Sequence, residues 1–274
     1  MMKIAITGAG GFIGSRLRQR FPEHIVLNRD EAGQALVRKL EGCSAVVNLA
    51  GAPIIKRWSS VYKKVLWDSR IGTTKRLVSA LNSLDRPIHL VSASAIGIYP
   101  DGTPCDESCS KRAEGFLAEL ASAWEEAAHE YRGATAVIRI GMVLGPEGGA
   151  LKMMLPVFRM GLGGRIGDGS MIMSWIDIED LIRAVSFILE GGKSGIFNMV
   201  SPNPVSNAEF TRALSEVLGR PALLPVPVFM LKLVYGEAAQ VLTASKEVYP
   251  RALQEAGFRF RYPELRASLR HLLG

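Results

Sequence analysis

Three glycines at three-residue spacing follow a short apolar run near the start of the chain, at Gly8, Gly11 and Gly14. The preceding residues, Lys3 to Thr7, have the composition of a buried strand, and a helical period begins at Phe12. A strand, a glycine turn and a helix N-terminus direct free backbone N–H groups and the positive end of the helix dipole at one point. This arrangement predicts a site for an anion.

The three glycines have separate tasks in such a site. Gly8 permits the tight turn, Gly11 lets the backbone approach a pyrophosphate closely, and Gly14 lets the helix pack on the strand. The alternative is an ordinary tight turn between a strand and a helix. The order of strand, turn and helix within the first twenty residues favours a dinucleotide site.

The end of the second strand indicates which dinucleotide binds. NAD-specific sites usually place an acidic side chain about 20 residues beyond the first glycine, where it meets the ribose 2′-hydroxyl. This chain has Asn28 and Arg29 there. An arginine forms a charge-assisted fork with a 2′-phosphate, which favours NADP (NADPH) over NAD. The neighbouring Asp30 opposes this interpretation, and an exposed Arg29 without a ligand is the alternative.

Strand and helix patterns alternate along the first 200 residues. Strands are predicted over residues 3–7, 25–28, 45–49, 88–92, 135–140 and 196–200, and helices over 32–40, 59–84, 113–131 and 177–189. This alternation predicts an α/β fold of Rossmann type, a doubly wound parallel sheet with helices on both faces.

The remaining residues predict a smaller unit. A helix is expected over residues 208–218, capped by Asn207, and further helical stretches over 229–242 and 263–273. We therefore expect a Rossmann domain over residues 1–200, with a loop excursion over 149–173 toward the substrate side, and a small, mostly helical C-terminal cap domain over 201–274. Lys152 and Arg165 flank a glycine-dense loop in that excursion, either to bind an acidic substrate or as exposed charges.

Composition excludes several classes of protein. The 274 residues are 48% hydrophobic and 22% charged, and no apolar run is long enough to span a bilayer. The net charge is +7, but Lys and Arg are spread along the chain, so neither nucleic acid nor a membrane is expected as a partner. No metal is expected, because the four histidines are scattered. The protein is expected in the cytoplasm, and Cys105 and Cys109 are therefore expected to be reduced thiols. It is expected to be a monomer or a homodimer.

Motifs along nearly the whole chain resemble extended short-chain dehydrogenase/reductases. The matching segments are TGAGGFIG (7–14), NLAG (48–51), SASAIGIYP (92–100) and RIGMVLGP (139–146). The finer resemblance is to an atypical epimerase-like branch, with the old label of cell-division inhibitor and a small C-terminal domain of unknown function. Its matching segments cover residues 56–78, 161–169, 175–181, 197–210 and 247–265. The resemblance implies NADP(H) binding and an unknown small-molecule substrate.

The resemblance also implies which residues meet the cofactor. Arg70 would reach it from the long helix, the segment from Ser92 to Ser94 would lie near the nicotinamide, and Val143 would close the loop behind it. The expected cofactor residues are Thr7, Gly8, Gly11, Phe12, Ile13, Gly14, Asn28, Arg29, Leu49, Ala50, Gly51, Arg70, Ser92, Ala93 and Val143.

The usual catalytic pair of that superfamily, Tyr-x-x-x-Lys, is missing. Phe116 stands where the tyrosine belongs, and Glu119 lies near the lysine position. A phenyl ring cannot transfer a proton, so Ser94 and Tyr99 are the candidate catalytic residues. Two functions therefore stay open: an NADP-dependent oxidoreductase or epimerase-like enzyme, and a non-catalytic NADP(H) sensor or interaction protein.

Overall fold

The computed structural model describes residues 2–274. Its ten strands are β1 (Ile4–Thr7), β2 (His24–Leu27), β3 (Ala45–Asn48), β4 (His89–Ala95), β5 (Thr135–Ile140), β6 (Met142–Leu144), β7 (Ile172–Met173), β8 (Trp175–Asp177), β9 (Gly195–Met199) and β10 (Val205–Ser206). Its twelve α-helices are α1 (Phe12–Arg20), α2 (Gly33–Leu40), α3 (Ser60–Trp67), α4 (Thr73–Leu81), α5 (Phe116–His129), α6 (Gly149–Arg159), α7 (Ile178–Glu190), α8 (Asn207–Leu218), α9 (Val228–Tyr235), α10 (Gln240–Thr243), α11 (Arg251–Glu255) and α12 (Leu265–Leu273).

Six parallel strands form the central sheet in the order β2-β1-β3-β4-β5-β9. The strands are short apolar runs buried on both faces, as a parallel sheet covered by helices requires. The strand order reverses between β1 and β3, and in such sheets ligands bind at the carboxyl ends of the strands beside that reversal. The predicted Rossmann-type fold is confirmed.

Helices cover both faces of this sheet. Helices α1 and α7 contact one another on one face, and α2, α4 and α5 lie side by side on the other. Leu17 of α1 and Leu181 of α7 are fully buried in the core on the first face, and Leu77 of α4 is buried on the second. None of the helices in residues 2–274 is long and apolar enough to cross a membrane.

The long helix predicted over residues 59–84 is interrupted. A π-helical turn over Asp68–Gly72 separates α3 from α4. The Ser69 hydroxyl donates to the Leu66 carbonyl and accepts from the Ala52 N–H, each at 3.0 Å. A side chain bonded in this way widens the helical ladder locally and ties it to the segment after β3. Hydrophobic periodicity does not distinguish this turn from a regular helix.

The excursion expected as a loop over residues 149–173 contains a helix. Helix α6 spans Gly149–Arg159 and accommodates Pro156 in its interior. Leu151, Leu155 and Phe158 recur at helical spacing and are buried against Trp175 and α8. The burial of this apolar face outweighs the poor helix propensity of the surrounding glycines and proline.

Three further expectations were wrong in detail. The helix predicted over residues 229–242 breaks at Gly236, whose φ of +60° suits glycine. Helix α8 is capped by Ser206 rather than Asn207, through a capping box with Glu209. Cys105 and Cys109, expected as free thiols, are joined in a disulfide. The predicted domain boundary near residue 200 stays a prediction.

His89 at the start of β4 predicts a pH-dependent stability. Neither ring nitrogen has a well-aligned hydrogen-bond partner in residues 2–274, and burial lowers the pKa of His89, an effect that the Lys193 backbone offsets in part. In the unfolded chain, His89 therefore binds a proton below about pH 6.5, whereas in the folded chain it binds one only at a lower pH. We expect the free energy of unfolding to fall as the pH drops below that value, and His89→Leu to reduce this fall.

Urea denaturation of both proteins between neutral and mildly acidic pH measures the effect. Parallel pH curves for the wild type and His89→Leu would contradict the assignment to His89.

Candidate functional site

The glycine turn after β1 is shaped by backbone contacts that exclude larger residues. Gly8 has a φ of +67°, and a Cβ there would lie 2.6 Å from the Leu49 carbonyl oxygen. A Cβ on Gly14 would overlap the Gly8 carbonyl, whereas Gly10 faces open space. The carboxyl ends of β1 and β3 and the start of α1 are thereby brought together at the reversal of strand order.

The floor of this site is a buried polar network. The Thr7 hydroxyl donates to the Asn48 side-chain oxygen at 2.7 Å and accepts from the N–H groups of Leu49 and Ala50. The Asn48 amide donates to Thr74 at 2.8 Å and to Ser92 at 3.2 Å. Because these groups satisfy one another, they hold the ends of β1, β3 and β4 in fixed positions. Ser92 and Ala93, expected beside the nicotinamide, are buried within β4.

The first turn of α1 is uncapped. Its N-cap is Gly11, which has no side-chain cap, so the first backbone N–H groups of the helix are available to an anion. Cβ atoms on Gly145 and Gly148 would overlap the Phe12 ring, so the loop after β6 lies directly against this turn. Val143 in β6 is almost fully buried behind it. That the N–H groups of this turn bind a pyrophosphate stays a prediction.

Two arginines flank a small cavity at the end of β2. Its lining is formed by Thr7, Leu27, Asn28, Arg29, Glu31, Leu36, Thr73, Arg76 and Leu77. The Arg76 guanidinium donates to the Arg29 carbonyl at 3.4 Å and to the Thr73 hydroxyl at 3.2 Å. Both arginines are therefore close to the position that the fold assigns to an adenosine ribose.

The carboxylate that lines this cavity, Glu31, is neutralised by other groups. Glu31 accepts from Lys39 at 2.5 Å and from Asn28 at 2.8 Å. Burial acts to raise the pKa of the Glu31 carboxyl, but the bonds from Lys39 and Asn28 outweigh burial and lower it. The other oxygen, Oε2, is buried without a partner in residues 2–274. A carboxylate oxygen buried in this way can still accept a hydrogen bond.

Arg70 is a partly buried cation without a carboxylate partner in the described residues. Its guanidinium donates to the Ala52 carbonyl at 3.1 Å, contacts Gly51 and lies 5.3 Å from the centre of the Trp124 ring. Burial lowers the pKa of Arg70 to about 10. An unpaired, partly buried cation favours an anionic ligand, which would supply the missing negative charge.

Phe116 begins α5, in the place expected for a catalytic tyrosine. Its ring packs edge-on against Trp58 with centroids 5.3 Å apart, and the Lys63 ammonium lies 4.9 Å from the ring centre. Glu119 is exposed, and Leu120, four residues after Phe116, is buried. The start of α5 therefore presents an apolar wall in place of a proton donor.

Ser94 and Tyr99 are both engaged in a buried network. The Ser94 hydroxyl donates to Glu125 at 2.7 Å, and Glu125 accepts two bonds of 2.7 Å from Arg139. The Tyr99 hydroxyl accepts from Arg139 at 2.7 Å and donates to Asn198 at 2.9 Å. Burial raises the pKa of Tyr99, against the opposing effect of Arg139. These contacts assign both residues to positioning, and an acid–base role for them stays a prediction.

Sequence reasoning missed several polar residues of this region. Arg139 interrupts an apolar strand, which is a usable signal, since a charge in a buried strand requires a partner. Its partner Glu125 lies on the face of α5 that packs on the sheet. Arg76 follows Thr73 at helical spacing, but its approach to Arg29 depends on the tertiary fold. No group of three potential metal ligands occurs in residues 2–274.

Comparison with known proteins identifies two matching regions. Residues 4–199 match the NAD-dependent epimerase/dehydratase family, and residues 226–272 match a domain of unknown function, DUF1731. The chloroplastic epimerase family protein SDR39U1 homolog of Arabidopsis thaliana is 38% identical over 99% of this chain and 87% of its own length. The epimerase family protein SDR39U1 of Bos taurus is 35% identical over 99% of this chain and all of its own.

Two solved structures have the same fold as this chain. The crystal structure of human epimerase family protein SDR39U1 (isoform 2) with NADPH superposes with a TM-score of 0.92, at 32% identity and over 99% of both chains. A dTDP-4-dehydrorhamnose reductase from Bacillus anthracis in complex with NADP has a TM-score of 0.81 at 16% identity, covering 99% of each chain. The second likeness is one of fold.

The Arg139–Glu125 pair predicts a non-additive pair of substitutions. Arg139→Met leaves a buried carboxylate unpaired and should destabilise the protein by about 3–5 kcal/mol. Glu125→Leu combined with Arg139→Met removes both charges and should restore much of this loss. Urea denaturation gives both values. A double variant as unstable as the sum of its single variants would show that the two charges do not interact.

Proposed function

Because the chain belongs to the NAD-dependent epimerase/dehydratase family, we propose that it binds NADP(H) and uses it in an oxidation, reduction or epimerisation of a small molecule. One observation carries the choice of NADP. Arg29 and Arg76 flank the cavity at the end of β2, while Glu31 is held by Lys39 and Asn28. A 2′-phosphate therefore meets two guanidinium groups and a neutralised carboxylate.

The other cofactor residues follow from the same geometry. The N–H groups at the start of α1 hold the pyrophosphate, and Leu49, Ala50 and Gly51 line the path that the cofactor takes past the end of β3. Arg70 faces this path as an unpaired cation beside Gly51. NADPH in the human relative is consistent with this assignment.

The chain itself supplies orientation and exclusion of water. The nicotinamide ring supplies or accepts a hydride when it is bound. Phe116 and Trp58 form an apolar wall near the start of α5, which limits water around the reacting carbon. Lys63 lies against the Phe116 ring, and it pairs with Glu237 at 2.6 Å. A proton required by the reaction would come from the substrate, from water or from this lysine.

A second function is compatible with the same apolar wall of Phe116 and Trp58. With Phe116 at the tyrosine position and with Ser94 and Tyr99 engaged internally, a protein that binds NADP(H) without turning it over is the alternative. Such a protein would report the NADP(H) level or serve a partner. We favour the enzyme because the uncapped start of α1 and the arginines at the end of β2 support cofactor binding, and because the chain aligns with epimerase family proteins over most of their length. A cytoplasmic location and a cap formed by residues 201–274 are further parts of the proposal.

The cofactor preference is directly measurable. We expect NADPH to bind more tightly than NADH, and Arg29→Ala to remove most of the difference, roughly tenfold to hundredfold for a lost charge-assisted hydrogen bond. Arg76→Ala should act in the same direction, whereas Arg38→Ala, which neutralises an exposed cation at the other end of α2, should change neither affinity. Fluorescence titration with both cofactors gives the values. Equal affinities for NADPH and NADH in the wild type would contradict the choice of NADP.

A measurement of NADPH turnover distinguishes an enzyme from a non-catalytic sensor. We expect the wild type to oxidise NADPH in the presence of at least one carbonyl compound or to epimerise a nucleotide sugar, in a panel of both classes. Arg29→Ala should raise KM for NADPH with little change in kcat, because it binds the cofactor far from the reacting carbon. NADPH binding without turnover across the panel would favour the sensor.

A further inference from the structure

We propose that a cationic apolar face, formed by residues 148–167 and 217–236, attaches this protein to an anionic lipid surface. The two stretches are distant in sequence and adjacent in the fold. The Val226 N–H donates to the Arg165 carbonyl at 2.8 Å, and the Gly167 N–H donates to the Val226 carbonyl at 3.0 Å. Gly161 lies against Pro221. The stretches therefore form one continuous surface.

Large apolar side chains are exposed across this face. Four belong to α6 and the turn after it, namely Met153, Val157, Met160 and Leu162, and six to the other stretch, namely Leu223, Leu224, Phe229, Met230, Leu233 and Val234. Leu223, Phe229 and Leu233 are 82%, 69% and 74% exposed. Helix α9 has no buried residue at all. An exposed apolar surface of this extent marks an interaction site.

Positive charges accompany these side chains. Lys152, Arg159, Arg165, Arg220 and Lys232 lie in the two stretches, which contain no Asp or Glu and so carry five of the net seven positive charges of the chain. All five are exposed, and none forms an ion pair with another described residue. Four acidic residues border the stretches directly, namely Glu147 and Asp168 at the first and Glu216 and Glu237 at the second. Three of them, Glu147, Glu216 and Glu237, are paired with Arg16, Arg266 and Lys63. The remaining charges of the chain nearly cancel.

This charge pattern favours an anionic lipid surface over a second copy of the chain as the partner. A second copy of the chain joined through a two-fold axis would bring the same five cations against one another. An anionic lipid surface accepts both features, since apolar side chains enter the boundary of the acyl chains and basic side chains meet the headgroups. The attachment is peripheral, because no helix in residues 2–274 can cross a membrane. This proposal departs from the sequence-based expectation of no membrane partner, which rested on the absence of a long apolar run.

Vesicle flotation tests the proposal on the full chain. We expect the wild type to float with vesicles of phosphatidylcholine and phosphatidylglycerol, to float weakly with phosphatidylcholine alone, and to dissociate as salt rises. Arg220→Gln and Lys232→Gln should each weaken binding about fivefold. Phe229→Ser combined with Leu233→Ser should abolish flotation. Because all four residues are exposed, the variants should fold and retain NADPH affinity.

Two matched controls lie outside the face. Arg38→Gln removes one exposed charge on α2, and Val61→Ser removes one exposed apolar side chain on α3; neither should change flotation. Failure of the wild type to bind the anionic vesicles, or equal loss in the controls, would overturn the proposal. So would a dimer in light scattering that dissociates in the Phe229→Ser and Leu233→Ser variant, or capture by polyglutamate without binding to vesicles, since these results assign the face to another partner.

Discussion

The ion pair between Arg139 and Glu125 fixes the arrangement of the sheet around the candidate site. Arg139 in β5 is completely buried, and its guanidinium holds both oxygens of Glu125 on α5. The pair orders β4 through Ser94 and the segment after β4 through Tyr99, and Tyr99 in turn binds Asn198 in β9. A buried pair gives little net stability relative to apolar residues, but misplacing any member leaves a charge uncompensated, so the pair selects one arrangement of these elements.

The same pair constrains the chemistry. In the superfamily pattern, the end of this strand supplies a hydroxyl to the substrate, whereas here the Ser94 hydroxyl is directed at Glu125 beneath the site. Phe116 then closes the start of α5 with an apolar ring. In the proposed function, the chain binds a dinucleotide while Ser94 and Tyr99, the candidate catalytic residues, make structural contacts. Under the proposed function, the proton of the reaction would come from the substrate, from water or from Lys63.

The sequence predicted the features that depend on local pattern. Alternating apolar runs gave the strands of the sheet, and the spacing of Gly8 and Gly14 gave the turn, because each property lies within a few residues. Features that depend on distant partners were missed. The bond of Ser69 to Ala52, which widens the helix, requires two segments to meet, and so does the neutralisation of Glu31 by Lys39. Hydrophobic periodicity predicts which side chains are buried, but it does not predict which residues they contact.

In the proposed cofactor site, Arg70 would couple cofactor binding to stability. Its guanidinium is partly buried against Trp124 and backbone carbonyls without a carboxylate, so the ligand-free protein carries the cost of desolvating a cation. An anion bound beside Gly51 offsets this cost, and a ligand that binds only the folded state stabilises it by mass action. A carboxylate at this position would stabilise the empty protein and would repel the dinucleotide. The unpaired arginine is therefore the arrangement expected of a site that is completed by its ligand.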